Sequence, residues 1–329
     1  MSPHTPAADF HALTPDVIIS VVEKAVGHHC TNLCRPLNSY INRVYELELE
    51  EGGGIIGKFY RPGRWSRQTI ADEHDFLAEL TEREIPVIPP LPLAGGQTLG
   101  EHRGIFFAVF PKKSGRILDE LTLDQWEEIG RLLGRVHRVG AMRQAQARPL
   151  LAPQESTRRH VSYLIEGRFI PAELVEDYRR ISAELLETIT PLFAGHEAIR
   201  IHGDCHFSNI ILRPGESFYL IDLDDMVTGP PVQDLWMLLP GYARDSRAEI
   251  AAFLEGYETF RPFPRRTLSL IEPLRAMRFI HYSAWCAYQA ADVAFSPLGG
   301  DWGSAEYWRQ EIRDLAEQIA HIRDEDGLP

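Results

Sequence analysis

The sequence predicts an α+β chain in two parts, a small β-rich N-terminal lobe followed by a larger, mainly helical C-terminal lobe. Three observations predict it. Tyr45, Leu47 and Leu49 alternate with Glu46, Glu48 and Glu50, the period of a half-buried strand, and the glycines at 52–54 turn the chain into a return strand over residues 55–60. Residues 105–110 form a continuous apolar run too short for a helix, which reads as a buried strand. From Thr122 onward the period changes: Thr122 and Gln125 make a capping-box pattern ahead of Trp126, Ile129, Leu133 and Val136 at helical spacing. Composition shifts sharply at residues 111–116, so the hinge is placed there, with one lobe at 1–110 and the other at 117–329.

The remaining elements follow in order. Residues 1–10 read as a loose polar tail. Thr14 and Pro15 have the capping hydroxyl and first-turn proline of a helix start, Val17, Val21, Val22 and Ala25 give its apolar face, and Gly27 closes it. His28, His29, Cys30 and Cys34 are metal-ligand types, but their crowding favours a structural role. On the return strand Ile56, Lys58 and Tyr60 share one face, which sets the Lys58 ammonium beside apolar groups and demands an anion. A helix beginning after Ser66 supplies it. Glu73 falls inside the stripe of Ile70, Leu77 and Leu80, where a carboxylate is costly unless paired, whereas Asp72 points toward Gln68 and Asp75 and water. The prolines at 86, 89 and 90 break that helix into extended chain. Residues 158–193 are amphipathic and helical across Pro171, and residues 247–323 are mostly helical. His137 reads as packed or solvated, and Arg275, Arg278 and His281 read either as an acceptor groove or as a solvated face.

Bulk properties exclude several function classes. With 34 basic against 47 acidic residues, a net charge of −13 argues against nonspecific binding to nucleic acid or anionic membranes. Four cysteines without a disulfide framework fit a reducing compartment, and neither a signal peptide nor a long apolar run is present, so a cytoplasmic location is expected.

The chemistry concentrates in His202-Gly203-Asp204-Cys205-His206-Phe207-Ser208-Asn209, followed after a hairpin turning at Pro214-Gly215 by Ile221-Asp222-Leu223-Asp224-Asp225. Asp204 suits acceptance of a hydroxyl proton, and Asn209 and Asp222 suit magnesium, an arrangement that serves phosphoryl transfer. A zinc site at His202, Cys205 and His206 is the rival reading, although no second ligand cluster follows. His202 reads as a structural histidine bracing the loop.

These motifs resemble the aminoglycoside and choline kinase group within the protein kinase-like fold, in which HGD replaces HRD and IDLD stands where DFG would. The runs HGDCHxxNI, LDDxxxGPxxQDLWMLL and IEPLRAMR further resemble the stress response kinase A family of bacterial cytoplasmic Ser/Thr protein kinases, over about residues 12–310. The resemblance implies a bilobal fold with ATP bound between the lobes. Lys58, held by Glu73, would then contact the nucleotide phosphates. Ile56 would cover the adenine beside the backbone near Phe110, and Ser39 and Tyr40 would meet phosphates from a loop that lacks glycine. Asp234 would anchor the catalytic loop backbone. Asn209 and Asp222 would hold Mg²⁺, and Asp204 would deprotonate the acceptor. The expected partners are proteins bearing Ser or Thr acceptors, the chain itself among the places to look for phosphate. No nucleic acid or membrane partner is expected, and a monomer is. With only Thr228 as a hydroxyl between Asp222 and Asp234, no activation by loop phosphorylation is expected. The alternatives are a kinase of a small molecule (aminoglycoside, choline, homoserine or sugar) and a nucleotide-binding regulator without turnover.

Overall fold

The protein is described by a computed structural model covering residues 10–213, 215–290 and 301–324, so residues 1–9 of the expected tail over 1–10, the turn residue Pro214 and residues 291–300 of the expected helical stretch lie outside the described residues, while Phe10 begins a short 3-10 turn. The chain divides into two compact units. The first comprises Met1–Glu120, Ala145–Arg148 and Phe207–Asp224, and the second Leu121–Gln144, Pro149–His206 and Asp225–Pro329.

In the first unit, β1 (Cys30–Leu37), β2 (Arg43–Leu49), β3 (Gly54–Phe59), β4 (Gly100–His102) and β5 (Ile105–Pro111) make one antiparallel sheet in the order β1-β2-β3-β5-β4. Both of its faces are covered. Helix α1 (Pro15–Val26) lays Ile18 and Val22 on Leu47, Ile55, Phe59, Phe107 and Val109, and the Thr14 hydroxyl and the left-handed Gly27 cap its ends. On the opposite face Ile70 of α2 (Arg67–Thr81), capped by Ser66, packs with Tyr60, Leu99 and Ala108. Lys58 sits on this second face, paired in register with Ala108. A short hairpin completes the unit, with β7 (Ile210–Leu212) against β8 (Phe218–Leu220).

Of the crowded His/Cys stretch, Cys30 and Cys34 lie on strand β1 with a bulge between them, a pairing that the polar pattern does not announce, and His28 and His29 precede it. One local expectation changes. Glu46 is buried rather than solvated because Arg35 and Lys112 neutralise it from either side.

The second unit is mostly helical. Helix α3 (Leu123–Gly140) forms the expected capping box and lies very close to α7 (Arg247–Glu258), because a Cβ at Gly130 would meet the Phe253 carbonyl oxygen at 2.1 Å. Helices α4 (Arg158–Glu166) and α5 (Val175–Ile189) are separated at Gly167–Pro171, and α6 (Gln233–Trp236) is a single turn, shorter than the run to Leu239 suggests. Helix α8 (Ile271–Gln289) packs beside α4 and beside α9 (Ala305–Asp324). Strands β6 (Ile199–Ile201) and β9 (Val227–Gly229) pair antiparallel, setting the approach to His202 alongside residues 227–229. Among the described residues no helix is long and apolar enough to cross a membrane.

Candidate active site

The first unit gathers a buried charge cluster around Lys58. Its Nζ lies 2.8 Å from Asp222 Oδ1, 3.6 Å from Asp224 Oδ1 and 3.8 Å from Glu73 Oε1, and 5.1 Å from the centroid of the Tyr60 ring. Burial works against the ammonium, but the carboxylates of Asp222, Asp224 and Glu73 outweigh it and hold its pKa well above the ordinary lysine value. The expected Lys58–Glu73 contact is present, yet it is the longest of the three. Arg148 is nearer to Glu73, at 3.2 Å, and its guanidinium also donates to the Asp224 backbone carbonyl. Burial pushes Glu73 up to about 7, with Lys58 and Arg148 pulling the other way.

Asp224 is held by Lys58, by Arg64 and by the Asn42 amide at 3.1 Å; these cations overcome its burial and keep it below the usual carboxylate range. Asn42 in turn accepts from the Arg61 N–H at 3.1 Å, which ties the turn between β1 and β2 to the cluster. In that same turn Ser39 is half-buried and Tyr40 exposed. Ile56 stands opposite Phe110 across the β3–β5 register, both partly exposed and on the same side of the sheet as Lys58. Asn209 ends the short turn before β7, and its carbonyl accepts the Ile221 N–H at 3.0 Å, so Asn209 and Asp222 are joined through one backbone rung. Asp222 adopts a left-handed φ of 56°, which an aspartate tolerates, and its side chain is 54% exposed. Hard oxygen donors on Asn209 and Asp222, with a buried Asp224 Oδ1 that has no hydrogen-bond partner among the described residues, fit Mg²⁺ better than a soft metal.

The second unit builds the loop that carries Asp204. Wholly buried Asp234 accepts from the His202 N–H and the Gly203 N–H, each at 2.8 Å, and from His137 Nε2 at 2.9 Å. His137 Nδ1 then lies 3.1 Å from the Tyr257 hydroxyl. Gln233 Nε2 donates to the Gly203 carbonyl at 2.9 Å. Glycine is required at 203, where φ is 83° and a Cβ would stand 2.5 Å from the Asp225 carbonyl oxygen. His202 is buried, with Nδ1 taking the Asp204 N–H at 3.3 Å, and Cys205 is a buried thiol whose pKa burial pushes well up, unlike a metal-bound thiolate. Arg278 Nη2 lies 2.9 Å from Asp204 Oδ1, and His206 Nε2 lies 3.3 Å from Oδ2. Burial raises the Asp204 pKa, but the His206 hydrogen bond and Arg278 outweigh it and hold the carboxyl well below the usual range.

Sequence reasoning missed Asn42, Arg64, Arg148 and any role for Asp224. Asp224 had a signal, lying in the same acidic run as Asp222; the two arginines sit in aperiodic loops and had none. Asp72 is a correction. It does meet Gln68, at 3.4 Å, but it is buried and accepts the Ala147 N–H at 2.7 Å, because residues 145–148 return to α2.

Residues 33–270 match the phosphotransferase enzyme family. Stress response kinase A of Shigella flexneri and that of Escherichia coli K12 are each 39% identical to the chain over 327 residues, 97% of this chain and 96% of theirs. The serine/threonine protein kinase RdoA of Salmonella typhimurium is 38% identical over 314 residues, 95% and 94% of the two chains. Among solved structures, amicoumacin kinase hAmiN with AMP-PNP, Ca²⁺ and Ami has a TM-score of 0.72 at 20% identity, covering 94% of this chain and 93% of its own. Spectinomycin phosphotransferase with ADP and spectinomycin has a TM-score of 0.65 at 15% identity, covering 95% and 99%. These structures share the α+β kinase-like fold.

Proposed function

The chain belongs to the phosphotransferase enzyme family, alongside stress response kinase A, and from that premise we propose that it is an ATP-dependent Ser/Thr protein kinase acting with Mg²⁺. The observation that carries the reading is Lys58, a buried ammonium shared by Glu73, Asp222 and Asp224, in a chain alike over nearly its whole length to a protein named a serine/threonine kinase.

In this reading Lys58 contacts the ATP phosphates and Glu73 keeps it oriented. Ile56 and the backbone beside Phe110 receive the adenine, and Ser39 and Tyr40 approach the phosphates. Asn209 and Asp222 hold Mg²⁺, which when bound neutralises phosphate charge. Asp204 accepts the proton of a Ser or Thr hydroxyl while the hydroxyl oxygen bonds to the γ-phosphorus; the bond to the β–γ bridging oxygen breaks and ADP leaves. His202 and Asp234 support the loop. The reading keeps a nucleotide lobe at 1–110, a hinge at 111–116 and a catalytic lobe at 117–329, and a chain that works as a cytoplasmic monomer.

The test uses purified protein, its Asp204→Ala variant, radiolabelled ATP and Mg²⁺, with and without a generic protein acceptor. Label on Ser or Thr that vanishes in the variant supports the reading. Absence of protein label, with Asp204-dependent phosphorylation of a metabolite, replaces it with a small-molecule kinase. ATP binding with no consumption replaces it with a regulator.

A further inference from the structure

The contact between Arg278 and Asp204 has a consequence for the acceptor. A carboxylate that is to take a proton from a hydroxyl needs a free oxygen, and here Arg278 of α8 stands 2.9 Å from Oδ1 while His206 stands 3.3 Å from Oδ2. The Arg278 side chain is only partly buried, at 34% exposed, so an incoming anion can reach it without unfolding anything. The two neighbouring helices α4 and α8 carry Arg158, Arg159, Arg275 and Arg278, against exposed Glu166 and the fully buried Glu272. Glu272 is already spent on Arg275, at 2.8 Å. This is the reverse of the chain as a whole, in which 47 acidic residues outnumber 34 basic ones. The two helices meet on this side: the His160 and His281 rings lie 5.1 Å apart, the Tyr163 and Tyr288 rings stack at 4.1 Å, and burial together with nearby Arg159 pushes His160 down to about 4, leaving the arginines as the cations here.

We propose that this enzyme selects Ser or Thr acceptors flanked by Asp or Glu, and that Arg278 is the residue that reads the flanking carboxylate. The inference rests on the protein kinase reading above. When the acidic side chain of the acceptor pairs with Arg278, the guanidinium leaves Asp204 Oδ1, and that oxygen becomes available to the acceptor hydroxyl. Recognition and release of the base are then one event. Because Arg278 touches the base directly, the reading carboxylate must lie within one or two residues of the phosphorylated hydroxyl, given about 3.3–3.6 Å of chain per residue. An acceptor with Lys or Arg at those positions meets a like-charged surface and leaves the Arg278–Asp204 pair intact, which is discrimination by repulsion as well as attraction.

The experiment compares three peptides that differ only beside the Ser, with Glu, Ala or Lys at the next two positions, using the full chain, Arg278→Met, Arg278→Lys and, as a charge control on a distant helix, Arg247→Ala. For the native enzyme, kcat/KM is expected to be at least about tenfold higher for the Glu peptide than for the Lys peptide. In Arg278→Met the preference should shrink to within about threefold, with the Glu peptide losing rate and the Ala peptide keeping or gaining it; Arg278→Lys should retain part of the preference and Arg247→Ala all of it. Equal rates on all three peptides in the native enzyme, or an undiminished preference in Arg278→Met, overturn the proposal while the kinase reading stands. No Asp204-dependent label on any peptide or protein overturns both.

Discussion

Asp234 and Asp224 are both deeply buried carboxylates, and they are satisfied in opposite ways. Asp234 has each oxygen engaged by N–H donors, from the His202 and Gly203 backbone and from His137. Asp224 shares Lys58 with Glu73 and Asp222, and Arg148 with Glu73, pairs with Arg64, and among the described residues its Oδ1 has no hydrogen-bond partner. The first arrangement fixes a loop in one shape. The second balances cations against carboxylates, so anionic phosphates can enter by exchanging partners with groups already charged. Buried charges of the first kind are scaffold and those of the second kind are exchangeable, and substitutions should separate them.

The largest effect is expected at Asp234. Asp234→Ala leaves two backbone N–H groups and His137 without their acceptor in a dry interior, which should cost about 3–5 kcal/mol in urea unfolding. Asp224→Asn, by contrast, keeps the shape and the Asn42 contact, and in the proposed reading it should lower ATP affinity more than stability. If both substitutions cost the same in unfolding, the distinction between scaffold and exchangeable charge fails.

The next effect is expected at Gly203. Gly203→Ala meets both a left-handed φ of 83° and the Asp225 carbonyl at 2.5 Å, so about 1–3 kcal/mol of strain falls on the loop bearing Asp204. Turnover should fall with stability. A variant that melts normally and works normally would show that the loop is less constrained than its hydrogen bonds to Asp234 imply.

How far the sequence foresaw these two regions follows the same division. Strand β1 was not legible, whereas strands β2, β3 and β5, the β7–β8 hairpin, and helices α1, α2 and α3 were, because period, caps and turn residues are local: Thr14, Ser66 and Thr122 all cap the helices they announce. Glu73 was legible as a carboxylate inside an apolar stripe, and its contact with Lys58 is there at 3.8 Å. Arg148 and Arg64 were not, because they reach the cluster from irregular segments whose partners are distant in sequence. The Asp72 error has the same origin: helical spacing assigned it to water, and a segment some 75 residues later covers it. Period reads which way a side chain points on its own element; it cannot read what returns to cover it.

A smaller effect concerns two buried glutamates that are both pushed up to about 7, Glu73 in the first unit and Glu311 in the second. Burial is the leading cause in each, but Lys58 and Arg148 oppose it at Glu73, whereas at Glu311 the relief is the Ser283 hydroxyl at 2.9 Å. Since both folded values lie above the unfolded carboxylate range, the folded chain holds more protons than the unfolded one between about 4.5 and 7, and each group's contribution to stability declines as pH rises through that window. Only Glu73 should register in catalysis. As pH falls below about 7 it neutralises and releases Lys58, so KM for ATP should rise by about three- to tenfold between pH 8 and pH 6. Glu73→Gln should flatten that rise. Glu311→Gln should leave it untouched and instead make the protein about 1–3 kcal/mol more stable than the native chain at pH 8, with the gain disappearing toward pH 5. A flat KM profile in the native enzyme would mean that Arg148 and Lys58 keep Glu73 ionised throughout, and would place it with Asp234 among the fixed charges.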